Sequence, residues 1–398
     1  MNISKRALTL PASETLKISA LAKEMQQAGK SVISLSAGEP DFKTPAFVCE
    51  AAKKAIDEGY HGYTINTGTI ELRTAIVNKL KRDNNLEYKI NEIVVSNGAK
   101  QSVGFSLLAL VDKGDEVIIP APYWVSYPAM VQLAEGEPII VRTSFDNDYK
   151  LTPSQLRSAI TPKTKVLILC SPSNPTGSCY SRDELTALAE VLRDFPNVVV
   201  LSDEIYEYIT FDDTHVSMLE VGPWLRKRFV LINGFSKGFA MTGWRLGYLA
   251  APADIAGAVA KIQSQETSAP STISQKAGEA AYNGGLDEVH KMRDSFKKRR
   301  DYIVSELRKI EGVKCFNPGG AFYVFPDISF YLGKKTKDGN EISTSTDLVM
   351  YLLETVGIAA VPGDAFGEPD GIRLSYSISM EQLEESVKRL NKGLSELV

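Results

Sequence analysis

Four short segments carry polar groups that an apolar core would not select. They are Ser171-Pro-Ser-Asn174-Pro-Thr-Gly177, Ser202-Asp203-Glu204-Ile-Tyr206, Ser236-Lys237-Gly238 and Gly243-Trp244-Arg245-Leu-Gly247. Asp203 follows the apolar run that begins at Val198, which predicts a carboxylate at the mouth of a sheet. Desolvation makes an unpaired charge costly there, so Asp203 should face a cationic partner. Lys237 follows the run Phe229 to Ile232 in the same way. A desolvated lysine beside other cationic groups has a lowered pKa and becomes a nucleophile toward carbonyls. The chemistry in prospect is amine–carbonyl exchange supported by a buried acid.

The elements that must position these groups are legible as well. Short β-branched runs at Val32 to Leu35, Ile93 to Val95, Glu116 to Ile119, Val166 to Leu169, Val198 to Leu201 and Phe229 to Ile232 predict buried strands. Helical patterns lie between them. The clearest opens at Ser181 with Glu184 as a capping box and carries Leu185, Leu188, Ala189 and Leu192 on one face. Such alternation implies an α/β fold with a mostly parallel sheet covered on both sides, whose ligands bind beyond the carboxyl ends of the strands. The last third differs: a charged helix spans Leu286 to Ile310, strands lie at Ala321 to Phe325 and Ile372 to Ser375, and a terminal helix starts from a Ser379/Gln382 box. A second, smaller α+β domain fits that pattern.

The 398 residues allow two or three domains, and 45 basic against 49 acidic residues leave a net charge of -4 without long runs of either sign. A nucleic-acid or acidic-membrane surface is not indicated. No stretch approaches the roughly 18 apolar residues of a membrane span, and residues 1–20 have no apolar leader core, so the expected location is the cytoplasm. Cys49, Cys170, Cys179 and Cys315 form no Cys-x-x-Cys pair, and His61, His215 and His290 stand apart, so no metal is expected. Gly29-Lys30-Ser31 lacks the first glycine of a phosphate loop and stands between helix and strand in the wrong order. No G-x-G-x-x-G fingerprint is present, which removes most of the case for nicotinamide chemistry.

A lysine nucleophile and a buried acid together answer the needs of pyridoxal phosphate, which joins a lysine through its carbonyl and requires an acidic partner on its ring nitrogen. With that, the chain resembles the class I aminotransferases of fold type I, and within them the bacterial aspartate aminotransferase branch. The resemblance runs from Ala37-Gly38-Glu39-Pro40-Asp41-Phe42 through Pro122-Tyr-Trp124-Val-Ser-Tyr127 and the four segments above to Arg373-Leu-Ser-Tyr376. It implies a large domain with a seven-stranded, mostly parallel sheet over residues 46–290, and a small domain from residues 1–45 and 291–398 that closes over the site.

The resemblance also implies roles. Lys237 holds the cofactor and shuttles a proton, Asp203 keeps the ring nitrogen protonated, and Tyr206 and Asn174 bond the phenolate oxygen. Trp124 stacks on the ring. Arg245, Ser236 and the Gly98-Ala99-Lys100 helix start take the phosphate, with Tyr63 reaching the phosphate of a neighbouring subunit in a homodimer. Arg373, helped by Gly38, Trp124 and Asn174, takes the substrate α-carboxylate, while Lys100 and Thr15 receive a distal carboxylate. The implied reaction is ping-pong transfer from L-aspartate to 2-oxoglutarate, with aromatic or prephenate specificity as the alternative. Relatives that use prephenate carry a Lys-Pro-Ser-Ala-Thr stretch near the N-terminus; aligned on Thr15, Pro11 replaces that lysine, which places prephenate second. Many relatives have a serine where Gly234 stands, so slightly weaker cofactor retention is expected. Trp224, Trp244 and the three histidines read as packing or surface residues.

Overall fold

The computed structural model describes residues 3, 4, 7, 8, 10 and 14–398, without the side chains of residues 14–16 and 19. Strand β1 (Ile33–Ser34) comes first. The main sheet follows with β2 (Ile93–Ser96), β3 (Glu116–Ala121), β4 (Glu137–Arg142), β5 (Thr164–Cys170), β6 (Val199–Asp203), β7 (Phe229–Gly234) and β8 (Gly247–Ala250). After these come β9 (Tyr323–Val324), β10 (Ile358–Ala359), β11 (Val361–Pro362) and β12 (Ile372–Ser375).

The seven-stranded sheet has the order β2-β8-β7-β6-β5-β3-β4. All pairs are parallel except those of β8, which runs antiparallel to both neighbours. Alternate residues of one strand feed two different cores, as a twice-covered sheet requires. Leu167 and Leu169 join a cluster with Ile76, Leu188 and Ala281, while Val166 and Ile168 join another with Val103, Val131 and Val259. The helix Arg182–Arg193 packs on the first of these faces through Leu185, Leu188, Ala189 and Leu192, and Ser181 and Glu184 form the reciprocal cap at its start. The mostly parallel α/β architecture expected from the sequence is what the chain adopts.

Two strands escape the sequence pattern. β4 contains Pro138 and lies at the sheet edge, where a missing N–H is tolerated. β8 is only Gly247-Tyr-Leu-Ala250, too short to show alternation, yet all four residues are buried. At the terminal helix Ser379 accepts the Gln382 amide at 3.2 Å, but the return bond to the Ser379 amide is absent, so the expected box is half made.

The two ends of the chain meet. β1 pairs in parallel with β10, and β11-β12-β9 form a separate antiparallel sheet. A third core of Phe296, Phe322, Leu352, Leu374 and Leu390 joins these strands to the helices Asp287–Leu307, Ser345–Val356 and Met380–Ser395. No helix among the described residues is long and apolar enough to cross a membrane. The four cysteines are free thiols.

Candidate active site

The carboxyl ends of β5, β6 and β7 sit side by side, because Cys170 pairs with Asp203 and Asp203 with Ile232 in register. Asp203 therefore emerges between the Asn174 loop that follows β5 and the Lys237 turn that follows β7. Its carboxylate is almost wholly buried. The Tyr127 hydroxyl donates to Oδ2 at 2.7 Å and the Ile205 amide to Oδ1 at 3.3 Å. Burial nevertheless raises its pKa to about 6, the two bonds working against that rise. Among the described residues no protein cation bonds Asp203.

Lys237 is half-buried, and its ammonium donates to the Gly38 carbonyl at 2.5 Å. Crowding by protein is the main cause that brings its pKa down to about 8. The charges of Arg373 and Arg245 push the same way, and Glu39 and Asp203 oppose them. At neutral pH a useful share of this amine is within reach of its nucleophilic form. The Tyr206 ring centroid lies 5.8 Å from Nζ.

Arg373 is only 3% exposed. It donates to Asn174 Oδ1 at 3.0 Å and to the Ser36 carbonyl at 2.8 Å, and its Nε has no hydrogen-bond partner among the described residues. No carboxylate bonds it among the described residues. A guanidinium taken out of water without a counter-ion is costly, and its planar fork suits a carboxylate. Ser36, which Arg373 bonds, and Gly38, which Lys237 bonds, are two residues apart on one crossing segment. That segment is tied down by Ser377 Oγ to the Glu39 carbonyl at 2.7 Å and by Arg299 to Asp41 at 2.7 Å.

A cradle of backbone and guanidinium lies beside Lys237. Gly98 takes a φ of +85° immediately before the helix Ala99–Leu110, and a β-carbon there would stand 2.6 Å from Arg245 Nη2. One on Gly247 would stand 2.3 Å from the Ala99 nitrogen, so both positions need glycine for the strand, helix start and arginine to converge. Arg245 is exposed, with Nη1 bonded to the Thr242 carbonyl at 2.8 Å. Asn97, Trp244, Arg245, Ser271 and Ser274 help line an open cavity of about 580 Å³. A helix N-terminus, an exposed arginine and bare backbone suit a phosphate. Trp244, expected to pack, does so in part; its Nε1 donates to Thr44 Oγ1 at 3.1 Å and it shares in lining this cavity.

The remaining expected residues fall at differing distances from this centre. Trp124 is half-buried and meets Tyr127 edge-on at 5.3 Å. The exposed Lys100 amine stands 5.3 Å from the Trp124 ring centroid, and burial together with Arg245 lowers its pKa. Ser236 is buried in the turn before Lys237. Tyr63 is fully exposed and makes no hydrogen bond among the described residues. The side chain of Thr15 and all of Pro11 lie outside the described residues. At Gly234 a β-carbon would meet Gly247 Cα at 2.8 Å, so this backbone has no room for the serine of many relatives. Tyr127 and Tyr323 belong to the centre and were given no role from sequence. Tyr127 ends the stretch Pro122-Tyr-Trp124-Val-Ser-Tyr127, but its carboxylate partner is 76 residues away; nothing local marks Tyr323.

A lowered-pKa lysine, a buried carboxylate and a buried arginine, at the carboxyl edge of an open sheet, suit an enzyme of amine–carbonyl chemistry. Comparison with known proteins agrees. The family model described as aminotransferase class I and II matches residues 30–390. The bifunctional aspartate aminotransferase and glutamate/aspartate-prephenate aminotransferase of Petunia hybrida is 49% identical over 399 residues, covering 99% of this chain and 83% of the relative. The aspartate/prephenate aminotransferase of Nitrosomonas europaea is 44% identical, covering 99% of this chain and all of the relative. The crystal structure of the aspartate aminotransferase from Rhizobium meliloti superposes with a TM-score of 0.97 at 43% identity over the whole of both chains. The chain belongs to the class I and II aminotransferase family, with the fold-type I architecture.

Proposed function

We propose that the chain is an aspartate aminotransferase that holds pyridoxal 5'-phosphate on Lys237 and transfers the amino group of L-aspartate to 2-oxoglutarate. The observation that carries this reading is the buried Arg373, short of an anion, joined through residues 36–38 to the Lys237 amine. A ligand with an amine next to a carboxylate satisfies both. When bound, the cofactor supplies a carbonyl that condenses with amines and a ring that accepts the electron pair released at the substrate Cα.

Asp203 is suited to the ring nitrogen, since a proton there supplies the missing cation and draws the carboxyl back to its charged form. Tyr206 and Asn174 are the candidates to bond the phenolate oxygen, and Trp124 to cover the ring. The Gly98–Lys100 backbone, Ser236 and Arg245 are suited to the phosphate. Lys237 Nζ, near half-protonation above neutral pH, is the group that takes the proton from Cα and returns it. Arg373 holds the α-carboxylate and so orients the Cα–H bond. Lys100, with Thr15, is the candidate for the distal carboxylate. The reaction is ping-pong: oxaloacetate leaves before 2-oxoglutarate enters.

The small domain of residues 1–45 and 291–398 closes over the cleft of the large domain, residues 46–290, and expels water. Two chains form a homodimer in which the exposed Tyr63 reaches the phosphate of the partner. Prephenate as acceptor is the second reading, favoured by the names of several relatives.

The test is turnover by purified, cofactor-loaded protein of L-aspartate with 2-oxoglutarate, followed by reduction of the oxaloacetate formed. Turnover that requires the oxo acid is expected. Faster amino transfer to prephenate would reverse the order of the two readings, and product without any oxo acid would refute transamination.

A further inference from the structure

Tyr323 lies on β9, next to the strand that carries Arg373, whereas Tyr206 follows β6 of the main sheet. Their hydroxyls meet at 3.0 Å, a polar contact between the two sheets inside an otherwise aromatic cluster. Phe322 packs on Tyr206 at 5.6 Å and on Tyr323 at 4.6 Å, and both tyrosines are buried. The Arg373 guanidinium lies 4.6 Å from the Tyr323 ring centroid. No other hydrogen-bond partner meets the Tyr323 hydroxyl among the described residues.

A hydroxyl has one proton, so only one of the two can donate in this contact. If Tyr206 turns its proton to an acceptor in the cleft, the proton between the rings must come from Tyr323. We propose that Tyr323 is a positioning residue for the reaction: its hydroxyl donates to Tyr206 and thereby holds the Tyr206 proton on the cofactor's phenolate oxygen. The inference rests on the role given to Tyr206 above. Hydrogen bonds in such a chain polarise and strengthen one another, so loss of the outer donor weakens the inner one. The ionisable groups facing this pair come from both sides: Arg373 and the neutral Cys170 thiol lie near both tyrosines, and Arg373, Arg245, Glu39 and Asp203 act on Lys237.

The readout is the visible absorbance of the cofactor-loaded protein, titrated with pH in the absence of substrate. The midpoint reports proton loss from the nitrogen that joins Lys237 to the cofactor, and a weaker bond to the phenolate oxygen raises it. Tyr323→Phe keeps the ring against Arg373 and removes only the hydroxyl; its midpoint should rise by about 0.2 to 0.5 units. Tyr206→Phe should raise it further, and the double variant should match Tyr206→Phe, because Tyr323 acts only through Tyr206. A thermal melt of each variant reports folding separately. A shift in Tyr206→Phe with none in Tyr323→Phe overturns the relay while leaving the role of Tyr206 intact. An unchanged midpoint in both overturns the role of Tyr206 and the relay with it. Additive shifts in the double variant overturn the relay as the route by which Tyr323 acts.

Discussion

Replacing Asp203 with asparagine separates what the carboxylate costs the fold from what it contributes to the chemistry. In the cofactor-free chain burial raises this carboxyl from its ordinary 3.8 to about 6. That difference corresponds to about 3 kcal/mol. Because the folded chain holds the proton more tightly than the unfolded one, the associated stability is complete below about pH 3.8 and is lost as pH rises through about 6. Asparagine has nearly the same shape, can keep its oxygen on the Ile205 amide while its Nδ2 donates to the Tyr127 hydroxyl oxygen, and does not titrate. The stability difference between Asp203→Asn and the parent should therefore grow between pH 4 and 7 by up to about 3 kcal/mol in favour of the variant. Urea unfolding of both apo proteins at a series of pH values measures it, and taking the difference cancels the other titrating groups. Transamination by the loaded variant should fall at least roughly a hundredfold, in the range for removal of one well-placed electrostatic group. Parallel stability curves across that pH window would refute the burial cost, and undiminished turnover would refute the ring-nitrogen role.

Three further outcomes follow from the geometry. Arg373→Lys keeps the charge but loses the fork, so kcat/KM for aspartate should fall roughly 10- to 100-fold, mostly in KM, with the cofactor absorbance unchanged. Gly247→Ala should push the Ala99 amide and the helix start away from Arg245, weakening both pyridoxal phosphate and inorganic phosphate in equilibrium binding to the apo protein. Lys79, fully buried, pairs with Glu207 just beyond Tyr206, and Asn84 also bonds that carboxylate at 2.8 Å. Lys79→Met leaves the Glu207 charge with the Asn84 bond and no cation, and should cost about 3 to 5 kcal/mol of stability; adding Glu207→Leu should recover much of that in chemical denaturation.

The chain's local signals determined a great deal. Strand runs, the Ser181 cap and the strand-end placement of Asp203 and Lys237 depend on residues within a few positions of one another. Periodicity and capping therefore reveal the covered sheet and the edge at which its chemistry gathers. The motif order from Gly38 to Arg373 likewise carried the family. Tertiary structure alone decided the pairings between distant residues. Tyr127 meets Asp203, Tyr323 meets Tyr206, and Asn174 meets Arg373, in each case across at least 76 residues. It also decided that Gly234 has no space for a serine and that the partner of Asp203 is a phenol, because both depend on how closely β7 approaches β8 and on which helix lies over β6. Such contacts follow from packing between elements, whereas a lysine after a strand or a glycine before a helix answers to its neighbours in the chain.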